Sequence, residues 1–364
     1  MRIAKCGFLN LPLVAVFALT IAPLRAQLPN ETDTTSTPAP GDHDYLHSPV
    51  ETVNPANGSV SIRIPIQTPP SRGLSLPFAI AYDSNGSFSV VGSGGTNEPI
   101  YQGAREGDWN QGGWSYTVPL MSFSSTTWTI TGTLDHLITC HGSFNYVFED
   151  PGGGRHNLGL SVSANVASGD GTDNCNSGAN DDGEYPTGGE GSILATTTIP
   201  ATNIASFPPT TVTDGEGTQY YFRGGSASTY IPQTITDRNG NTAAVSESGG
   251  TYATNQLTFT DSIGRAALTS SGFGGNPDTI TAAGESSAYK VYWTTASAQF
   301  TDNTVNLIPG EGPNCQTAMS SSATVVSQIV LPDGQSFNFS YDPTYGMLTK
   351  LTYPGGGYVR YVWG

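Results

Sequence analysis

The chain has 364 residues and a formal net charge of −16, yet charged residues make up only 12% of it. Such a surface repels nucleic acid and anionic membranes, so neither is expected as a partner. With 45 glycines, 25 prolines and no long window of helical periodicity, the composition predicts an all-β chain of short strands and turns.

Arg2 and Lys5 precede a mostly apolar run from Phe8 to Leu24, and Leu24-Arg25-Ala26 offers a small residue before Gln27. This predicts a signal peptide over 1–26, cleaved between Ala26 and Gln27, and hence a secreted or cell-surface protein. No other stretch approaches the ~20 apolar residues of a spanning helix, so no membrane insertion is expected after signal removal. Residues 27–48 are Pro/Thr-rich and read as a disordered linker. Within the linker, Asp42, His43, Asp44 and His47 have metal-ligand types, but a solvated polar stretch explains them.

Residues 49–207 read as an N-terminal β domain, sandwich-like in its alternation. Val60, Ile62, Ile64 and Ile66 alternate with polar residues, as do Leu74, Leu76, Phe78, Ile80 and Tyr82. Trp109, Trp114 and Trp128 either stack on sugar rings or face a core. Asp135, His136, Cys140 and His141 lie in or beside a strand, where a paired or buried cysteine is expected over a zinc ligand. In an oxidising compartment Cys140–Cys175 is the shortest disulfide loop, and pairing of either with Cys315 stays open. Residues 167–191 read as a mobile acidic loop. Asp170, Asp173, Asn174, Asp181, Asp182 and Glu184 have calcium-ligand chemistry there without the spacing of a regular calcium loop.

From residue 208 onward, strand–turn–strand units recur. "TITDRNGNTAAV" and "LTFTDSIGRAAL" align at an offset of 24, placing Asp237 with Asp261 and Gly240 with Gly264. Asp opens each turn by accepting local backbone N–H bonds, and Gly takes the φ > 0 position. Ser327–Asp342 and Thr349–Gly364 align without a gap at an offset of 22, pairing Pro332 with Pro354, Gly334 with Gly356, Phe339 with Tyr361 and Tyr341 with Trp363. A hairpin cannot bury its apolar face alone, so repeats at this spacing predict stacking into one wrapped sheet. Ser287-Ala-Tyr-Lys290 matches a nucleophile string that needs a helix, whereas its surroundings alternate as a strand. No Gly-x-Ser-x-Gly elbow or phosphate loop occurs, so no enzyme, catalytic residue or cofactor is expected.

Tyr341-Asp342, Gly346 and Leu348, followed by the turn at Pro354 and Gly356 and the aromatics Tyr361 and Trp363, resemble the unit of the bacterial RHS/YD-repeat family. "TDRNGN" and "TDSIGR" are similar to that family's turns, and 56–86 to the β domain preceding them in secreted members. The resemblance implies degenerate repeats over 208–364 that open a β-shell, enclosing cargo or presenting a cell-surface interaction surface. It implies further repeats or a C-terminal effector, absent from this chain, as partners. The family's core-ending Asp-Pro-x-Gly-Leu-type stretch does not occur here, so no toxin activity is carried over. A secreted carbohydrate-binding or adhesion module, with a surface glycan as partner, is the alternative.

Overall fold

The computed structural model describes residues 50–54, 56–68, 74, 78–92, 99–103, 109–131, 137–163, 185–198, 208–225, 229–248, 255–302 and 317–363. All of them fall in one compact unit, Asp33–Gly364. They are almost wholly β, and every ladder between strands is antiparallel.

Strands β1 (Glu51–Val53), β2 (Val60–Pro65) and β3 (Ala79–Asp83) open the first sheet. After a separate hairpin of β4 (Phe88–Gly92) and β5 (Pro99–Gly103), strands β6 (Asn110–Gln111) and β7 (Trp114–Tyr116) complete it in the order β1-β2-β3-β7-β6. A long hairpin follows, β8 (Leu120–Thr131) with β9 (Leu137–Glu149), and β9 also pairs with β10 (Arg155–Asn157) and β11 (Val162–Ser163).

The remaining strands, with one exception, form a 14-stranded sheet in strict chain order. It runs through β12 (Thr187–Glu190), β13 (Ile193–Thr197), β14 (Thr210–Thr213) and β15 (Gln219–Phe222). The exception, β16 (Thr229–Tyr230), leaves this sheet to pair with β8. The sheet resumes at β17 (Thr234–Thr236), β18 (Thr242–Ser248), β19 (Gln256–Thr260), β20 (Ala266–Ser270) and β21 (Asp278–Ala282). It ends with β22 (Tyr289–Asp302), β23 (Thr317–Val330), β24 (Ser336–Tyr341), β25 (Leu348–Thr352) and β26 (Tyr358–Arg360). The sheet therefore starts at Thr187, inside the stretch read as an acidic loop and ahead of residue 208. Strand β12 is held there because Asn157 N–H donates to Glu190 Oε2 at 2.6 Å, tying it to β10.

Period-2 alternation explains the sheet's two faces. Val212, Ile235, Phe259 and Ile280 are each flanked by two threonines in strand, and each of these apolar side chains is at most 4% exposed. The flanking residues make a polar outer row in which Thr196, Thr211, Tyr221, Thr234, Ala244 and Thr260 stand opposite one another in turn. β-branched Thr suits a half-exposed pleated face. The opposite, packed face meets the N-terminal sheets in a single buried cluster running from Val60 to Leu351. The second layer of the N-terminal domain is thus the repeat sheet itself.

Candidate functional site

Among the described residues no group of three or more His, Cys, Asp or Glu is placed to hold a metal ion. Cys140 is buried and disulfide-bonded, which removes it as a thiolate ligand beside His141. Its partner, the candidates Cys175 and Cys315, the predicted cleavage point at Ala26 and Gln27, and the linker and acidic-loop ligand sets lie outside the described residues. The functional geometry instead lies in two places: the seam between the layers, and the repeat unit that carries the sheet to its last strand.

One turn is built six times. At Asp150, Asp214, Asp237, Asp261, Leu331 and Tyr353 the first residue's N–H donates to the carbonyl four positions on, and the glycine three positions on donates back at 2.9–3.0 Å. Those glycines have φ from +79° to +92°, the left-handed region where a side chain is costly. Where Asp is first, its Oδ1 accepts the N–H groups two and four residues later, as with Asn239 and Asn241 at Asp237, and Ile263 and Arg265 at Asp261. The amide of Asn241 also donates to Asp237, and these bonds hold its carboxyl below the usual range. Asp261 is 4% exposed. Burial alone would raise its pKa, but its backbone bonds and the Arg265 guanidinium, 2.8 Å away, bring it down. At Leu331 and Tyr353, which include Pro354 and Gly356, the same backbone turn forms without the Asp. The turn at Asp150 shows that the device already occurs in the N-terminal part.

A second recurring element is invisible in the turn pattern. The ladder slips by one residue at Ala267, Ser327 and Thr349, giving β-bulges on β20, β23 and β25. Tyr341 donates its hydroxyl to the carbonyl of Val326 at 2.6 Å, and Trp363 Nε1 donates to the carbonyl of Leu348 at 2.8 Å. Donors and acceptors are both 22 positions apart, so the repeat's aromatic captures the carbonyl beside each bulge. Asp342 caps its own, longer turn by accepting from Thr344 and Tyr345 N–H. Gly346 sits there at φ +69°, and a Cβ on it would come within 2.5 Å of the Phe88 ring from β4. Leu348 is fully buried, with its N–H on the Tyr82 hydroxyl at 3.3 Å.

The seam is aromatic and hydrogen-bonded throughout. Phe78 meets Phe259, Trp109 and Tyr116 meet Phe273, and Trp114 meets Phe339 edge-on with centroids 4.6 Å apart. Trp114 Nε1 donates to Tyr341 OH at 2.7 Å, Trp109 Nε1 to Glu247 at 2.8 Å, and Tyr353 OH to Glu51 at 2.7 Å. Trp109 and Trp114 are 1% and 0% exposed, so they are core anchors with no face left for a sugar. Asp278, 2% exposed, accepts from Trp293 Nε1, Gly274 N–H and Gly275 N–H, and so shapes the loop that inserts Phe273 between the layers. Burial raises its pKa in spite of those donors. Tyr116 OH, buried without a hydrogen-bond partner, is pushed well up by burial and then by Asp278.

No family model and no curated protein matches the chain. Among solved structures it is similar to TcdB2-TccC3-TEV, at 10% identity and a TM-score of 0.33 over 89% of this chain and 16% of that one. It is also similar to the N-terminal domain of the effector protein SpvB from Salmonella typhimurium strain LT2, at 11% identity and a TM-score of 0.28 over 83% of this chain and 99% of that one. TcdB2-TccC3 gives 10% identity and a TM-score of 0.31, over 90% and 17% of the respective chains. The chain spans about a sixth of the length of the two TcdB2-TccC3 chains.

Proposed function

We propose that this chain is an exported, non-enzymatic structural protein that begins a repeat-built β-shell, its N-terminal sheets serving as a plug over the packed face of the first repeats. The observation that carries this reading is the seam. Aromatic side chains of β3, β6–β7 and their flanks fill the packed face along the whole run from Phe259 to Phe339, leaving no room there for cargo. Any cargo would therefore lie against repeats further along the sheet. The repeated turn, bulge and aromatic capture form a unit that adds strands in chain order, as a growing wall requires.

Reading the coding sequence past codon 364 tests the shell. Further units with an aromatic about 15 residues after a bulge support it, by the spacing seen at Val326–Tyr341 and Leu348–Trp363. An unrelated sequence refutes it. Export has its own test: sequencing the N-terminus of the native protein should return Gln27, and an intact Met1 would refute it.

A further inference from the structure

We infer that the free edge of β26 is a docking edge for an extended, acidic polypeptide strand. Among the described residues β26 pairs only with β25. Its register sets Lys350 directly opposite Arg360 and Thr352 opposite Tyr358. The bond from Tyr361 N–H to Thr349 carbonyl makes Lys350–Arg360 a non-hydrogen-bonded pair, the kind whose side chains stand closest. In such a ladder the N–H and C=O groups of Tyr358 and Arg360 point away from β25, toward the open edge.

Two like charges directly across a ladder repel. Here they share one ring, with Lys350 Nζ 4.7 Å and Arg360 Cζ 5.5 Å from the Tyr358 centroid. A ring quadrupole offsets part of the repulsion but carries no net charge. Neither cation has an ion pair among the described residues, and Tyr358 is 57% exposed. In a chain of net charge −16, this uncompensated cation pair stands where acidic partners would find it. A strand laid on β26 would gain backbone bonds from Tyr358 and Arg360. An Asp or Glu opposite Arg360 would also complete the outer row of Ser340, Lys350 and Arg360 with the missing charge. A polypeptide is favoured over a polysaccharide because only a backbone satisfies those edge groups.

The test is fluorescence anisotropy with the full chain and short labelled peptides that alternate Val with Glu, or Val with Lys. The Glu peptide is expected to bind roughly tenfold tighter or more. A double Lys350→Glu, Arg360→Glu variant, with thermal unfolding run alongside to confirm its fold, is expected to reverse that preference. N-methylation of alternate amides in the Glu peptide is expected to abolish binding. The inference is overturned if neither peptide binds at about millimolar concentration, or if both bind alike. It is equally overturned if the N-methylated peptide keeps its affinity, which would show charge attraction without strand addition.

Discussion

Tyr341→Phe keeps the ring and removes one oxygen that lies 2.7 Å from Trp114 Nε1 and 2.6 Å from the Val326 carbonyl. Trp114 and Val326 are both 0% exposed, so neither group gains water in exchange. Two hydrogen bonds net about 0.5–1.5 kcal/mol each, and a buried group left unpaired costs about 1–3 kcal/mol, so the substitution should cost about 2–4 kcal/mol. For a domain of this order that lowers Tm by about 5–10 °C. Urea unfolding followed by tryptophan fluorescence measures it, together with Trp114→Phe and the double variant. The two residues touch, so the cycle should show a coupling of about 1 kcal/mol or more. A Tyr341→Phe cost below about 0.5 kcal/mol, or strict additivity with Trp114→Phe, would refute the relay as a tie between plug and repeats.

Gly240→Ala meets nothing within 4 Å and should cost only the left-handed backbone term, about 1–2 kcal/mol. Gly112→Ala combines φ +60° with a collision against the Thr324 carbonyl, so chemical denaturation should find it distinctly worse. Asp278 and Asp261 predict opposite pH behaviour. The raised pKa of Asp278 gives stability that is full below 3.8 and is lost as pH rises through its native value, so Asp278→Asn should gain on wild type from acid toward neutral. The lowered pKa of Asp261 gives stability present above 3.8 and lost as pH falls through its native value. Asp261→Asn should therefore be weakest at neutral pH and converge on wild type in acid, and melting curves across that range check both signs. Cys140→Ser should cost about 2–5 kcal/mol, and non-reducing peptide mapping should join the Cys140 peptide to that of Cys175.

The strands and turns were legible because their causes are local. Alternation about Val212, Ile235, Phe259 and Ile280 requires only neighbours in sequence, and so does the Asp-x-x-Gly turn at 237–240 and 261–264. Even the 22-residue offset carried real geometry, since Tyr341 and Trp363 each capture a carbonyl 15 residues back. The bulges at Ala267, Ser327 and Thr349 left no such mark, because any residue type can be the extra one in a ladder. Nor could alternation say what would cover the repeat sheet. Periodicity separates one face from the other, but Trp109 and Trp114 read equally well as sugar platforms until the fold set them against Phe273 and Phe339.

What the sequence determined by itself is the all-β class, the turn chemistry and the register of the last two repeats, each the product of contacts within a few residues. Tertiary structure alone decided that the N-terminal sheets and the repeats share one core, that Gly346 must stay bare for Phe88, and that Glu51 reaches Tyr353. Those pairings join residues tens to hundreds of positions apart. Their free energy comes from burying aromatic surface between layers, a quantity that no single strand contains.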